Sequence, residues 1–133
     1  MKIFDCTTYF DEELIMDIRF HVLNEYVHKF IVVESKYSHS GKKKELRFNI
    51  ENYKKFKDKI IYLVIEDQPD NLVPLENNSN DSGRKRMNSI KRVEQSYNFM
   101  INGISDASSE DLIILSDNDE IPNLNSGQFK KSK

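Results

Sequence analysis

Asp117, Asp119 and Glu120 crowd together in the run Asp111-Leu-Ile-Ile-Leu-Ser-Asp-Asn-Asp-Glu-Ile-Pro122. The apolar stretch before them, Leu112 to Leu115, has the length and β-branched content of a buried strand, so the acids arrive at a strand's carboxyl end. Carboxylates that close repel one another unless a cation sits among them. If the extended backbone continues, Asp117 and Asp119 point to the same side. That pattern suits a hard divalent ion, Mg²⁺ or Mn²⁺, held by carboxylates together with the phosphates of a substrate. An EF-hand loop is excluded, because Pro122 stands where that loop requires Gly. An Asp-x-Asp taken alone is more often a solvated acidic turn. The rest of the chain has to discriminate.

A second cluster has the opposite sign. Arg84, Lys85 and Arg86 fall at the start of a helix predicted over about 83–102, and Lys91 and Arg92 follow one to two turns on. Cations there oppose the helix macrodipole, by about 0.3–1 kcal/mol each when exposed. Two readings stand: a solvated charged surface, or a docking place for an anion that the helix terminus and the side chains attract together. A phosphate bridging this helix and a metal at Asp117 and Asp119 would satisfy both clusters.

The elements that must position these groups read as an α/β fold. Lys2 to Cys6 is a first strand. A helix follows over about 12–26, with Asp11 as N-cap and an apolar face of Leu14, Ile15, Ile18, Val22 and Tyr26. Phe30 to Val33, closing on Glu34, is a second strand. Strand, helix and strand in so short a span form a βαβ unit, hence a parallel sheet with a right-handed crossover. Ser35 to Lys44 is a polar loop containing His39 and Gly41, and Phe48 to Phe56 reads as a helix. Ile60 to Ile65 is apolar almost throughout, which predicts a central strand. The stretch Gln68 to Ser82 is an unusually long loop. The long helix then presents Met87, Ile90, Val93, Tyr97, Ile101 and Ile104 on one face and stops at Gly103.

Composition bounds the class. A chain of 133 residues makes one domain with a real core; its 38% hydrophobic and 32% charged content excludes a disordered or membrane-embedded protein. A net charge of -2 gives no general attraction for nucleic acid or anionic lipid, so any affinity for phosphates is local. The single cysteine, Cys6, is a small core residue. No basic-then-apolar leader opens the sequence and no apolar run reaches the roughly 18 residues of a membrane span, so the expected location is cytoplasmic.

Taken in order, Lys2-Ile-Phe-Asp-Cys6, Phe10-Asp-Glu-Glu-Leu14 with Ile18-Arg19, Val32-Val-Glu34 with His39-Ser-Gly-Lys42, and Ser116-Asp-Asn-Asp-Glu-Ile-Pro122 resemble glycosyltransferase family 17. That family includes the β-1,4-mannosyl-glycoprotein 4-β-N-acetylglucosaminyltransferase of protein N-linked glycosylation. The resemblance implies a GT-A-like (Rossmann-like), mostly parallel sheet flanked by helices. It implies a nucleotide-sugar-binding half-domain over 1–122, truncated after the strand that carries the Asp-x-Asp motif; the stretch 123–133, with nothing periodic in it, reads as a disordered tail. By the same resemblance Asp117 and Asp119 hold Mn²⁺ or Mg²⁺ with Glu120 in support, and Asp117 also meets the diphosphate. Glu34 faces the nucleoside or sugar, Arg84 and Arg92 are candidates for the diphosphate, and His39 is a candidate ligand contact. The implied reaction is N-acetylglucosaminyl transfer from UDP-GlcNAc to a glycan acceptor. No residue is assigned as base, since a separate C-terminal half is the expected partner that carries it. Two other classes stay open: a non-catalytic remnant or partner subunit that only binds nucleotide sugar, and a metal-dependent nucleotidyl- or phosphoryl-transfer domain. The sequence shows no Gly-rich phosphate loop of either common kind, which counts against the last.

Overall fold

Every strand among the described residues is paired in parallel, and that directs their strand-end loops to one side. The computed structural model describes residues 1–126. The strands are β1 (Ile3–Thr8), β2 (Lys29–Ser35), β3 (Ile60–Ile65) and β4 (Leu112–Ser116), in the spatial order β3-β2-β1-β4. Helix α1 (Glu13–Leu23) joins β1 to β2, a 3₁₀ segment (Ile50–Lys59) precedes β3, and α2 (Asp81–Phe99) leads towards β4. This is a Rossmann-like α/β arrangement, as expected from the sequence.

Alternation along β2 explains the two layers. Phe30 and Val32 point to one face, where they meet Met16, Phe20 and Leu23 of α1 and Tyr53 and Phe56 of the 3₁₀ segment. Ile31 and Val33 point to the other, against Phe4, Cys6 and Met100. Both faces of β2 are covered, as expected inside a parallel sheet. Gly103 lets the chain cross β2 closely: a Cβ there would lie 2.7 Å from Ile31 Cγ1.

Three expectations are corrected. Helix α1 does not bury Leu14, Ile18 and Val22; Leu14 is 71% exposed, and the buried side chains are Met16, Arg19, Phe20 and Leu23. Apolar residues surround most of this helix, so two stripes compete, and the one carrying Phe20 fills the space beside Phe30, Tyr53 and Phe56. Met87, Ile90 and Ile101 are likewise exposed, while Asn88, Ser96 and Met100 face inward. Strand β3 lies at an edge, with β2 as its one neighbour in the sheet. Its unbroken apolar run reflects cover on both faces, which says nothing about order in the sheet. Leu124, two residues past Pro122, is buried in the α1-side core. The remainder of the expected tail, 127–133, lies outside the described residues.

Candidate functional site

The strand order creates the site. From β1 the chain proceeds to β2 and β3 on one side, then returns to place β4 on the other. The end of β1, between these two directions, is a topological switch point, where open α/β sheets form a crevice beyond the carboxyl ends of their strands. A cleft of about 540 Å³ lies there. Thr8, Tyr9 and Phe10 contribute from the end of β1, Val33 and Ser35 from β2, Tyr37, His39 and Lys44 from the following loop, Arg92 and Ser96 from α2, and Asp117, Asn118 and Asp119 from beyond β4. Its size is that of a pocket for a small organic ligand.

The acidic segment is a turn, not a continued strand. The Glu120 amide donates to the Asp117 carbonyl at 3.0 Å. Asn118 turns inward and donates from Nδ2 to the Thr8 carbonyl at 3.3 Å, leaving Asp117 and Asp119 exposed on the cleft wall. Both acids therefore reach one cleft, by a route different from strand alternation. Glu120 stands apart: its Oε1 accepts from the Asp117 amide at 3.2 Å, and it does not line the cleft. Tyr97 donates its hydroxyl to Asp117 Oδ1 at 3.1 Å. Burial and then this carboxylate push the Tyr97 phenol upward, so it stays a donor at neutral pH.

Beneath the turn, Arg19 of α1 is fully buried against Asp5 of β1. Nε donates to Asp5 Oδ2 at 2.7 Å and Nη2 to Asp5 Oδ1 at 2.6 Å. Nη2 also donates to Ser116 Oγ at 2.7 Å. Nη1 faces the carbonyls of Asp117, Asn118 and Glu120 at 3.2, 3.2 and 2.8 Å. A charge inside each of two otherwise apolar buried stretches was the signal for this pair, but neither spacing nor periodicity links Asp5 to Arg19.

Across the cleft, Glu34 is a buried strut. Its Oε2 accepts from Lys44 Nζ at 2.6 Å and the Arg47 amide at 2.7 Å; its Oε1 accepts from the Phe48 amide at 3.0 Å and the Tyr62 hydroxyl at 2.6 Å. Burial raises its carboxyl, but these donors more than offset that, and it titrates below its usual range. The resemblance puts Glu34 against the nucleoside or sugar; its acceptors are engaged and it has no surface on the cleft, so here it holds the loop. Lys44 does line the cleft, 5.3 Å from the Phe10 ring centroid.

The basic cluster divides. Arg92 reaches the cleft, where Nη1 donates to the His39 carbonyl and Nε to Gln68 Oε1, each at 2.9 Å. Gly41, at φ +87°, leaves room for this guanidinium; a Cβ there would lie 2.8 Å from Arg92 Cζ. His39 lines the cleft too, although its carbonyl rather than its ring ties it to α2, through Arg92 and Ser89 Oγ. Arg84 is elsewhere, paired with Asp81 at 3.0 Å and Glu76 at 3.3 Å. Asp81 accepts from the amides of Glu76, Asn77 and Asn78. The Glu76 amide leads the donors that hold its carboxyl below the usual range. Arg84 thus neutralises its own loop and lies outside the cleft.

Among the described residues no three His, Cys, Asp or Glu side chains converge as a metal cage. Two carboxylates on one wall fit a different arrangement, a hard cation whose shell is completed by a ligand's phosphates. No helix among the described residues is long and apolar enough to cross a membrane.

No curated protein and no solved structure matches the chain significantly. The family model of glycosyltransferase family 17 does, over residues 1–131, and the chain belongs to that family.

Proposed function

We propose that the cleft binds a nucleotide sugar, UDP-GlcNAc, with its diphosphate against a Mn²⁺ or Mg²⁺ ion on Asp117 and Asp119, for transfer of GlcNAc to a glycan acceptor. The observation that carries this reading is the meeting of Asp117, Asp119 and Arg92 on one cleft at the switch point of a family 17 chain. When bound, the cation would supply positive charge against the diphosphate as it leaves.

The chain's own residues do the rest. Asp117 and Asp119 offer the hard oxygen ligands, and the Tyr97 hydroxyl orients the Asp117 carboxylate. Arg92 and Lys44 add cationic character, while Tyr9, Phe10 and Tyr37 give aromatic surface for the nucleoside. In the transfer, the bond from the sugar C1 to the β-phosphate oxygen breaks and its electron pair leaves with UDP. The acceptor hydroxyl oxygen bonds to C1 and gives its proton to a base within hydrogen-bond reach.

Calorimetry with Mn²⁺ and UDP tests the binding step. The native protein should bind Mn²⁺ weakly alone and more tightly with UDP, because two carboxylates underfill an octahedral shell. Asp119→Ala should abolish that enhancement. Equal heats from the two proteins would remove the metal and diphosphate from this cleft.

A further inference from the structure

We propose that Arg19, with Asp5 as its counter-ion, is the positioning residue of the acidic turn: it sets Asp117 and Asp119 in ligand-binding geometry without touching a ligand. The role for the ligand rests on the nucleotide-sugar reading above; the hold on the turn does not.

A guanidinium has five N–H donors in a rigid planar fork, and all three nitrogens of Arg19 are engaged. Two donors are fixed by Asp5 in the bidentate arrangement, which sets the plane of the group. The others meet Ser116 Oγ and the carbonyls of Asp117, Asn118 and Glu120. Three carbonyls drawn inward to one nitrogen fix the backbone of the turn, and the side chains of Asp117 and Asp119 are directed outward to the cleft as a consequence. Lysine carries the same charge but offers its donors from one point, so it cannot serve Asp5 and the turn together.

Charge bookkeeping supports the same role. Asp5 cancels the Arg19 charge, so the cation beneath the turn does not oppose a metal ion above it. Stability is a weak reason for such a pair, since a buried ion pair is often no better than apolar residues of the same volume. Orientation is what apolar residues could not provide.

The test combines hydrogen exchange on the ligand-free protein with Mn²⁺ and UDP calorimetry on native, Arg19→Lys, Ser116→Ala and Asp119→Ala chains. In Arg19→Lys, exchange at residues 116–120 should accelerate about tenfold or more while β1 and β2 stay protected, the loss expected when charge-assisted hydrogen bonds are removed. UDP affinity with Mn²⁺ should fall about tenfold alongside. Asp119→Ala should lose binding with the turn's exchange unaltered, which separates a ligand from a positioning residue. Ser116→Ala leaves the Asp5 pair intact but removes two bonds of the turn, to Arg19 Nη2 and to the Glu120 carbonyl, so native-rate exchange there counts against the proposal even if Arg19→Lys does not fold. Unchanged exchange at the turn in folded Arg19→Lys and in Ser116→Ala, or acceleration spread evenly over β1 and β2, overturns the proposal. If the native chain binds no UDP, the nucleotide reading fails, and the exchange measurements alone decide whether Arg19 holds the turn.

Discussion

Replacing Glu34 by glutamine should destabilise the protein by about 3–4 kcal/mol, although the two side chains are nearly the same size. The carboxylate is buried and accepts four hydrogen bonds, two on each oxygen. Glutamine keeps an oxygen for Tyr62 and the Phe48 amide but turns an NH₂ towards the Lys44 ammonium and the Arg47 amide, so donors face donors. Each lost bond to a charged group is worth about 1.5–3 kcal/mol. Lys44 is 13% exposed and can turn partly to water, which keeps the total in the lower part of the range for a broken buried pair. For a chain of 133 residues this lowers Tm by about 10–15 °C. The pH dependence carries the same information. Glu34 titrates below its usual 4.5 in the folded chain, so its contribution is complete above that value and is lost as pH falls through the lower folded value. Glu34→Gln should therefore remove part of the acid limb of the stability profile. Thermal melts of both proteins across the acid range make the assay. A variant melting within about 3 °C of native, with an unchanged acid limb, would refute the strut.

Three more outcomes follow from the cleft. Gly41→Ala puts a Cβ into the Arg92 guanidinium at a φ of +87°; it should cost about 1–3 kcal/mol in denaturant titrations and weaken UDP binding as Arg92 is displaced. Tyr97→Phe deletes the bond to Asp117 and should weaken Mn²⁺ binding in the presence of UDP by about 0.5–1.5 kcal/mol, read by calorimetry. Arg92→Ala should weaken UDP binding by about 1.5–3 kcal/mol, whereas Arg84→Ala, outside the cleft, should leave it within about twofold of native.

The acidic turn was legible because two local signals coincided, a short β-branched run and the abrupt acids after it, at the strand end where ligands of α/β sheets bind. The parallel sheet followed from the order of elements, and all four strands form near their expected places. What the sequence concealed depends on contacts between distant segments. The helix Glu13–Leu23 is apolar on more than one face, so only the packed sheet and the 3₁₀ segment select Met16 and Phe20 over Leu14 and Ile18. For Glu34 the resemblance implies a ligand contact. Its actual partners come from a loop folding back between Lys44 and Phe48, and from Tyr62 on the next strand. Arg84 and Arg92 look equivalent as two cations on one helix. Asp81 and Glu76 claim the first, and the His39 loop brings the second to the cleft.

Buried charge in this chain serves loops rather than the sheet. Asp5 and Arg19 underlie the turn after β4, Glu34 underlies the loop after β2, and Asp81 underlies the bend before α2. Glu34 and Asp81 accept amide N–H groups, and Arg19, held by Asp5, donates to carbonyls. Such loops carry polar groups that no ladder satisfies, and water alone would satisfy them without fixing their shape. Among the described residues no buried side-chain nitrogen or oxygen lacks a partner, so these charges are fully engaged. Their desolvation offsets much of the attraction, which makes them poor sources of net stability. The apolar layers on either side of β2 supply that instead. Stability and site geometry are therefore divided between different residues. Asp117 and Asp119 can stand exposed on the cleft wall because the charges that shape their turn lie beneath it, already neutralised.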